Sequence, residues 1–290
     1  MGAWTRSTGR VVGGLAVIGG IALAATSGPA TASPTHPSAA TAKLGHILDV
    51  TAQEYKFSMP TMDIAAGLET IRLRNIGAKT HQFQILRIDD QYTLQQFVDT
   101  LKTGNVGAAL AMVTARGGAT AIAPHHSQIA YVNLPAGQYI ALCFVAGKDG
   151  IPHLAKGMAM PFQVEGSLAR KAPKNVAGLM TANEMKRFHA PATLVSGDVY
   201  AFKNISKSFI HEVQIIKLHP GTTIKKLQHY AGPPEDLATF LGGPGAVSPG
   251  VTAWFRLNLK PGTYVLICQV PDRNGKTHFM EGMYKVVTVQ

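Results

Sequence analysis

The sequence predicts an all-β protein of two tandem antiparallel β domains, sandwich or barrel, each with a short helical insertion. Three observations predict it: an internal duplication, short alternating segments, and Gly/Pro turn signals between them. Residues 117–143 (GGATAIAPHHSQIAYVNLPAGQYIALC) lie over 242–268 (GGPGAVSPGVTAWFRLNLKPGTYVLIC) without a gap. Upstream, AGLETIRLRNIGAKTHQFQIL matches SGDVYAFKNISKSFIHEVQII with one residue inserted, and TAQEYKF lies over TANEMKRF. A closing strand ends each copy, MPFQVEG in the first and YKVVTVQ in the second.

The chain begins with an expected signal peptide, residues 1–32. Arg6 and Arg10 precede the apolar run VVGGLAVIGGIALAA, and small residues place cleavage after Ala32. The run is short for a membrane span, although a retained anchor is the alternative reading. The expectation is therefore a secreted or extracytoplasmic protein with no transmembrane segment after cleavage. Residues 33–44, rich in Pro, Ser and Ala, read as a flexible linker. The first domain is expected over 45–166, a linker over 167–175 and the second domain over 176–290.

Within the first copy ETIRLRN, HQFQILRI, QIAYVNL and QYIALCF alternate as strands. VYAFKN, HEVQIIKL, TAWFRLNL and TYVLICQV repeat them in the second. LPAG and LKPG mark equivalent turns. One segment per copy departs from this pattern. In TLQQFVDTLKTG, Thr93 is a predicted N-cap, Leu94, Phe97, Val98 and Leu101 have helical spacing, and Gly104 is a stop. TTIKKLQHYAG repeats the theme with Ile224 and Leu227, ending at Gly232. Both helices are expected to cap one end of their domain, with a functional lid as the alternative reading.

The only two cysteines fall in matched positions, Cys143 and Cys268. Each is followed by nine residues and a histidine, His153 or His278, then by four residues and a methionine, Met158 or Met283. Thiolate, imidazole and thioether together form a set that copper favours. The self-alignment supplies a second imidazole per copy, His81 and His211, at the matched start of one strand, shortly after Asn75 or Asn204. A disulfide between the cysteines and metal-free buried thiols are the competing readings. Met160 and Met280 read as packing, and His125, His126, His189, His219 and His229 have no counterpart in the other copy.

In the order of these residues the chain resembles the cupredoxin family, the blue-copper sandwiches. The shared features are an Asn-containing loop before an upstream His, a strand ending in Cys, then His, Met and a last strand. This resemblance covers roughly 45–165 and 175–290 and implies Greek-key β-sandwiches. It implies His81, Cys143 and His153 as equatorial ligands with Met158 axial, and His211, Cys268, His278 and Met283 likewise. Asn75 and Asn204 would brace the ligand loops. The implied function is copper binding with electron transfer to a redox partner protein. A metal-free binding module at the cell surface is the alternative, as are copper sequestration and zinc binding.

Nothing in the chain reads as an enzyme signature. The His-Xaa-His and His-Cys-His elements of multicopper oxidases are missing from the sequence. Removing Arg6 and Arg10 from 27 basic residues leaves 25 against 16 acidic ones, a formal charge of +9. The charge is dispersed and not interleaved with aromatics, which argues against nucleic acid and for attraction to an anionic surface.

Overall fold

The structure, a computed structural model, describes residues 47–167, 172–272 and 274–290. The expected signal peptide and the lead-in at 33–44 lie outside the described residues. The first copy contains β1 (Ile47–Gln53), β2 (Lys56–Ser58), β3 (Asp63–Ala65), β4 (Gly67–Asn75) and β5 (His81–Ile88), followed by α1 (Leu94–Lys102) and α2 (Val106–Leu110). Its remaining strands are β6 (Val113–Ile122), β7 (Ser127–Leu134), β8 (Gly137–Leu142) and β9 (Ala159–Glu165). The second copy contains β10 (Val176–Ala182), β11 (Phe188–His189), β12 (Thr193–Leu194), β13 (Val199–Asn204) and β14 (Gln214–Leu218). Then come α3 (Ile224–Gln228), β15 (Ala238–Phe240), β16 (Thr252–Arg256), β17 (Gly262–Ile267) and β18 (Tyr284–Val289).

Each copy is a two-sheet sandwich. One five-stranded sheet runs β3-β9-β8-β5-β6 and its counterpart runs β12-β18-β17-β14-β15. The facing sheets fuse into one eight-stranded sheet, β11-β10-β13-β16-β7-β4-β1-β2. Most ladders are antiparallel as expected, but β1–β4, β10–β13, β3–β9 and β12–β18 are parallel. Parallel neighbours arise because the strand opening each copy returns beside a later strand through long connections, which local alternation cannot report.

Apolar residues fill the space between the sheets of each copy. Val50, Leu73, Phe83, Ile85, Val132 and Val164 do so in the first, and Phe202, Ile215, Phe255 and Leu266 in the second. A further layer covers the outer face of each five-stranded sheet. Phe97, Val98 and Leu101 of α1 pack on Leu86, Ile88, Ile140 and Leu142, and Leu227 of α3 packs with Ile216, Val265 and Ile267. The helices thus cover a sheet face instead of capping the end of a sandwich. Because both faces of β5 are covered, it is buried at nearly every position. Thr93 caps α1 as expected, accepting from the Gln96 amide while the Gln96 side chain accepts from the Thr93 amide.

The copies join about a local two-fold. Strands β7 and β16 pair antiparallel with Ala130 opposite Phe255, which are residues 125 apart and equivalent in the repeat. A second antiparallel contact sets Ala119 opposite Pro244, again equivalents 125 apart. Matched glutamines clamp this seam. Gln84 Nε2 donates to the Ala246 carbonyl at 2.9 Å and Gln84 Oε1 accepts from the Ala246 amide at 2.6 Å. Gln214 Nε2 donates to the carbonyl of Ala121, the equivalent of Ala246, at 3.0 Å.

Glycine permits the close approach. Gly118 has φ +111° and Gly243 φ +130°, and a Cβ at either would stand 2.0 Å from a backbone carbonyl oxygen, of Phe83 or Val213. Gly243→Ala is expected to destabilise the protein by at least about 3 kcal/mol, since strain and overlap add. Gly275→Ala, with φ +79° but open space, should cost only about 1 kcal/mol. Urea unfolding of both variants checks the ranking.

Candidate metal centre

Each cluster lies where strand ends meet a returning loop. His81 is the first residue of β5 and Cys143 directly follows β8, whereas His211 stands three residues before β14 and not at the strand start expected for it, bridged to Val247. Nine residues then separate Cys143 from His153, and they form a hairpin. The His153 amide donates to the Val145 carbonyl at 2.8 Å, Leu154 to Cys143 at 2.9 Å, and Gly147 to Ile151 at 2.9 Å. Gly150 makes the turn with φ +74°. The second copy repeats the hairpin: His278 to Val270 at 3.0 Å, Phe279 to Cys268 at 2.8 Å, Asp272 to Lys276 at 2.7 Å, and Gly275 at φ +79°. Backbone pairing therefore returns each histidine to its cysteine.

The upstream histidines are held by buried asparagines. Asn75 Nδ2 donates to the carbonyls of Lys79 at 2.6 Å and Ile122 at 2.9 Å, and its Oδ1 accepts from the Gly77 amide at 3.0 Å. Asn204 does the same with Phe209 at 2.7 Å, Val247 at 2.9 Å and the Ser206 amide at 3.0 Å. Each side chain thus shapes the turn before the histidine and ties it to the opposite strand.

The donors converge. His81 Nδ1 lies 3.1 Å from His153 Nδ1, and Cys143 Sγ lies 3.5 Å from His153 Nδ1. In the second copy His211 Nδ1 lies 3.1 Å from His278 Nδ1, and Cys268 Sγ lies 3.8 and 3.5 Å from those two atoms. All three donor atoms in each group fall within 4.8 Å of one another, and all six residues are buried. Bonds of about 2.0–2.3 Å from one ion would span such a triangle. Met158 and Met283 are fully buried in the two sandwich cores beside the cysteines. Each methionine amide donates to the carbonyl of its cluster's histidine, at 3.0 and 2.8 Å.

Burial sets the protonation states. It pushes the Cys143 thiol up to about 12 and the Cys268 thiol further still. It pushes His153 and His211 down to about 4, helped by the neighbouring His81 and His278 respectively. At neutral pH the metal-free clusters thus hold neutral imidazoles and thiols. Among the described residues, Nε2 of His153 and of His278 is buried without a hydrogen-bond partner, whereas His211 also meets the Asn183 backbone. Two imidazole Nδ1 atoms facing each other at 3.1 Å beside sulfur, with no carboxylate among the donors, suit a soft or borderline cation.

The surroundings make the two clusters unequal. Glu54 accepts from the Ala78 and Lys79 amides and reaches His81 Nε2 at 3.3 Å, so a proton held there leaves Nδ1 facing the centre. Its counterpart Glu184 braces the second loop through the Lys207 and Ser208 amides. Gln82 accepts from the Phe144 amide at 3.1 Å, whereas its counterpart Glu212 accepts from Gln269 at 3.1 Å. Burial pushes the Glu212 carboxyl up to about 7. Tyr55 packs on His153 with ring centroids 4.9 Å apart, while Phe209 flanks His278 at 5.6 Å. Sequence reasoning missed these neighbours, although the aligned TAQE and TANE carried Glu54 and Glu184.

Among the competing readings, the disulfide is overturned: both cysteines are free and buried. The local two-fold exists, but it passes through β7 and β16, away from the cysteines. His125 and His126 are exposed loop residues. Met160 packs against the first core as expected, but Met280 is 49% exposed and is not a packing residue.

Glu212 generates a pH prediction. Its folded pKa lies above the ordinary carboxylate value, so the folded state retains the proton longer and stability falls as pH rises from about 4.5 to 7. Glu212→Gln, which restores the residue of the first copy, removes that loss. The metal-free variant is expected to exceed the parent by on the order of 3 kcal/mol at pH 8 and to show no such gain below pH 4.5. Urea unfolding at the two pH values checks it.

No protein-family model matches the chain, and no curated protein matches it. Among solved structures it is similar to dithionite-reduced auracyanin from Roseiflexus castenholzii, at 22% identity over 41% of this chain and 99% of that one, TM-score 0.29. Auracyanin A, a blue copper protein from Chloroflexus aurantiacus, matches at 18% identity over 41% of this chain and 98% of that one, TM-score 0.30. A blue copper oxidase from Nitrosomonas europaea matches at 14% identity over 84% of this chain and 85% of that one, TM-score 0.26. Two tandem sandwiches, each closing a His/Cys/His group where strand ends meet, fit a cupredoxin-like tandem.

Proposed function

We propose that this chain is an exported copper-binding protein with two mononuclear sites of the blue-copper type, serving electron transfer with a redox partner protein. The observation that carries the reading is the twofold convergence of two imidazole Nδ1 atoms on one thiol sulfur, in buried clusters. Copper held by one thiolate and two imidazoles accepts either valence and so supplies single-electron transfer. His81, Cys143 and His153 would hold it in the first copy, and His211, Cys268 and His278 in the second. Met158 and Met283, buried in the same apolar cores as the cysteines, would offer each site a weak thioether donor. A single thiolate with two imidazoles and a buried thioether favours copper over zinc, whose structural sites take four strong donors.

The protein's contribution is rigidity and dryness. The hairpins and the Asn75 and Asn204 hydrogen bonds fix the donors before a metal arrives, which limits rearrangement when the valence changes. Burial excludes water from all three donors of each group. Because burial holds the thiols protonated, loading each site displaces a proton from its cysteine. The excess positive charge favours an acidic partner or an anionic cell surface.

Titration of the mature chain with Cu(II) should saturate at two equivalents, with intense thiolate-to-copper absorption in the visible. Cys143→Ser and Cys268→Ser should each remove half of it. In weakly buffered solution, about one proton should be released per site. A protein that stays colourless with Cu(II) under oxidising conditions would reject the copper reading.

A further inference from the structure

Both clusters are closed to solvent: none of the six donor residues is more than 1% exposed. An ion therefore reaches them only when the segments above them part. In each copy one such segment carries no donor, the turn between the two opening strands. It spans residues 54–55 between β1 and β2, and residues 183–187 between β10 and β11. From these turns Tyr55 packs on His153, and the Asn183 backbone meets His211. Glu54 fastens the first turn to the Ala78 and Lys79 amides, and Glu184 fastens the second to the Lys207 and Ser208 amides.

A second fastening ties each turn to the hairpin and to the chain just after the downstream histidine, and the copies build it with the charges exchanged. In the second copy the cation stands on the opening turn. Lys186 Nζ pairs with Asp272 of the hairpin and with Glu281 after His278, each at 2.5 Å. It also lies 4.7 Å from the ring centroid of Phe209, which flanks both His211 and His278. In the first copy the cation stands after the histidine. Lys156 Nζ pairs with Asp149 of the hairpin at 2.7 Å and donates to the Tyr55 hydroxyl of the opening turn at 3.3 Å. Gly147 and Lys156 occupy the positions of Asp272 and Glu281, so the sandwich itself dictates neither set. Different residues thus tie the same three segments.

We propose that the opening turns are straps that gate entry to the two clusters, and that Lys186 is the positioning residue that latches the strap of the second. The inference rests on the metal-binding reading for its purpose, but the latch governs access to Cys268 whether or not an ion is bound. The side chains of Lys186, Asp272 and Glu281 are only 16%, 22% and 25% exposed, so water and salt screen this triad less than a surface pair. Removing the ammonium deletes two ion pairs and leaves two carboxylates facing each other as like charges. Strap, hairpin and the chain after His278 then part more often, as a local opening of the fold.

Cys143 and Cys268 are the only thiols in the chain, so iodoacetamide alkylation followed by peptide mass spectrometry reads access to each cluster separately. In the metal-free mature chain both should react slowly. Lys186→Met should speed alkylation of Cys268 by roughly tenfold or more and leave Cys143 unchanged. Cys143 is the control for global unfolding, which exposes both thiols together. Asp272→Asn combined with Glu281→Gln should act in the same direction, Lys186→Arg should retain protection, and Lys156→Met should accelerate Cys143 alone. With copper loaded, Lys186→Met should still take up two equivalents but release one of them to EDTA faster. An unchanged Cys268 rate in the folded Lys186→Met chain, or equal acceleration of both thiols, overturns the latch. Failure to bind copper bears on the metal reading alone, because the thiol rates decide the latch without it.

Discussion

Backbone pairing across the seam, β7 with β16 and the Gly117–Gly118 strand against the segment around Pro244, holds the molecule together as one unit. Equivalent residues face each other at both contacts, so every constraint on one copy is also a constraint on its neighbour. Glycine is required at 118 and 243 because the chains approach to a distance that leaves no room for a Cβ. The glutamine clamps then satisfy backbone groups that the irregular ladder leaves open, each such buried bond contributing about 1 kcal/mol. The seam also reaches toward the clusters. Ile210, beside His211, packs on the helical layer of the first copy, and Val145, two residues beyond Cys143, packs on that of the second.

Within this frame each cluster is assembled from three chain segments by backbone hydrogen bonding. The hairpin from cysteine to histidine and the asparagine-braced loop bring soft donors together in a dry pocket before any ion is present. In the metal-free state neutral imidazoles face a protonated thiol. The copies then diverge in what surrounds the donors: Gln82, Tyr55 and a Glu54 contact on one side, Glu212, Phe209 and the Lys186 pair with Asp272 and Glu281 on the other. Duplication preserved the donors, and their neighbours changed.

Much of the fold was legible because strand alternation and turn residues are local signals. ETIRLRN and the TAWFR of TAWFRLNL became strands, and Thr93 capped its helix. Where two layers cover one sheet the local signal misleads: β5 is buried on both faces, so its helices were expected at a sandwich end instead of over that face. Met280 shows the same limit, since an apolar side chain in a turn has no periodicity to reveal its exposure. Long-range pairing, including the four parallel ladders and the shared eight-stranded sheet, depends on chain returns that no local pattern encodes.

By itself the sequence determined that the protein is duplicated, rich in strands, and carries two matched sets of Cys, His and Met with an upstream His. Comparing the copies sufficed for that, because chemistry shared by two equivalent positions is visible in residue types alone. Only the tertiary structure decided that the nine-residue loops fold back as hairpins, that the cysteines stay apart, and that the copies fuse at Ala130 and Phe255. Those outcomes depend on distances between residues far apart in the chain, which are set by hydrogen-bond registers and close packing and not by the identity of any one side chain.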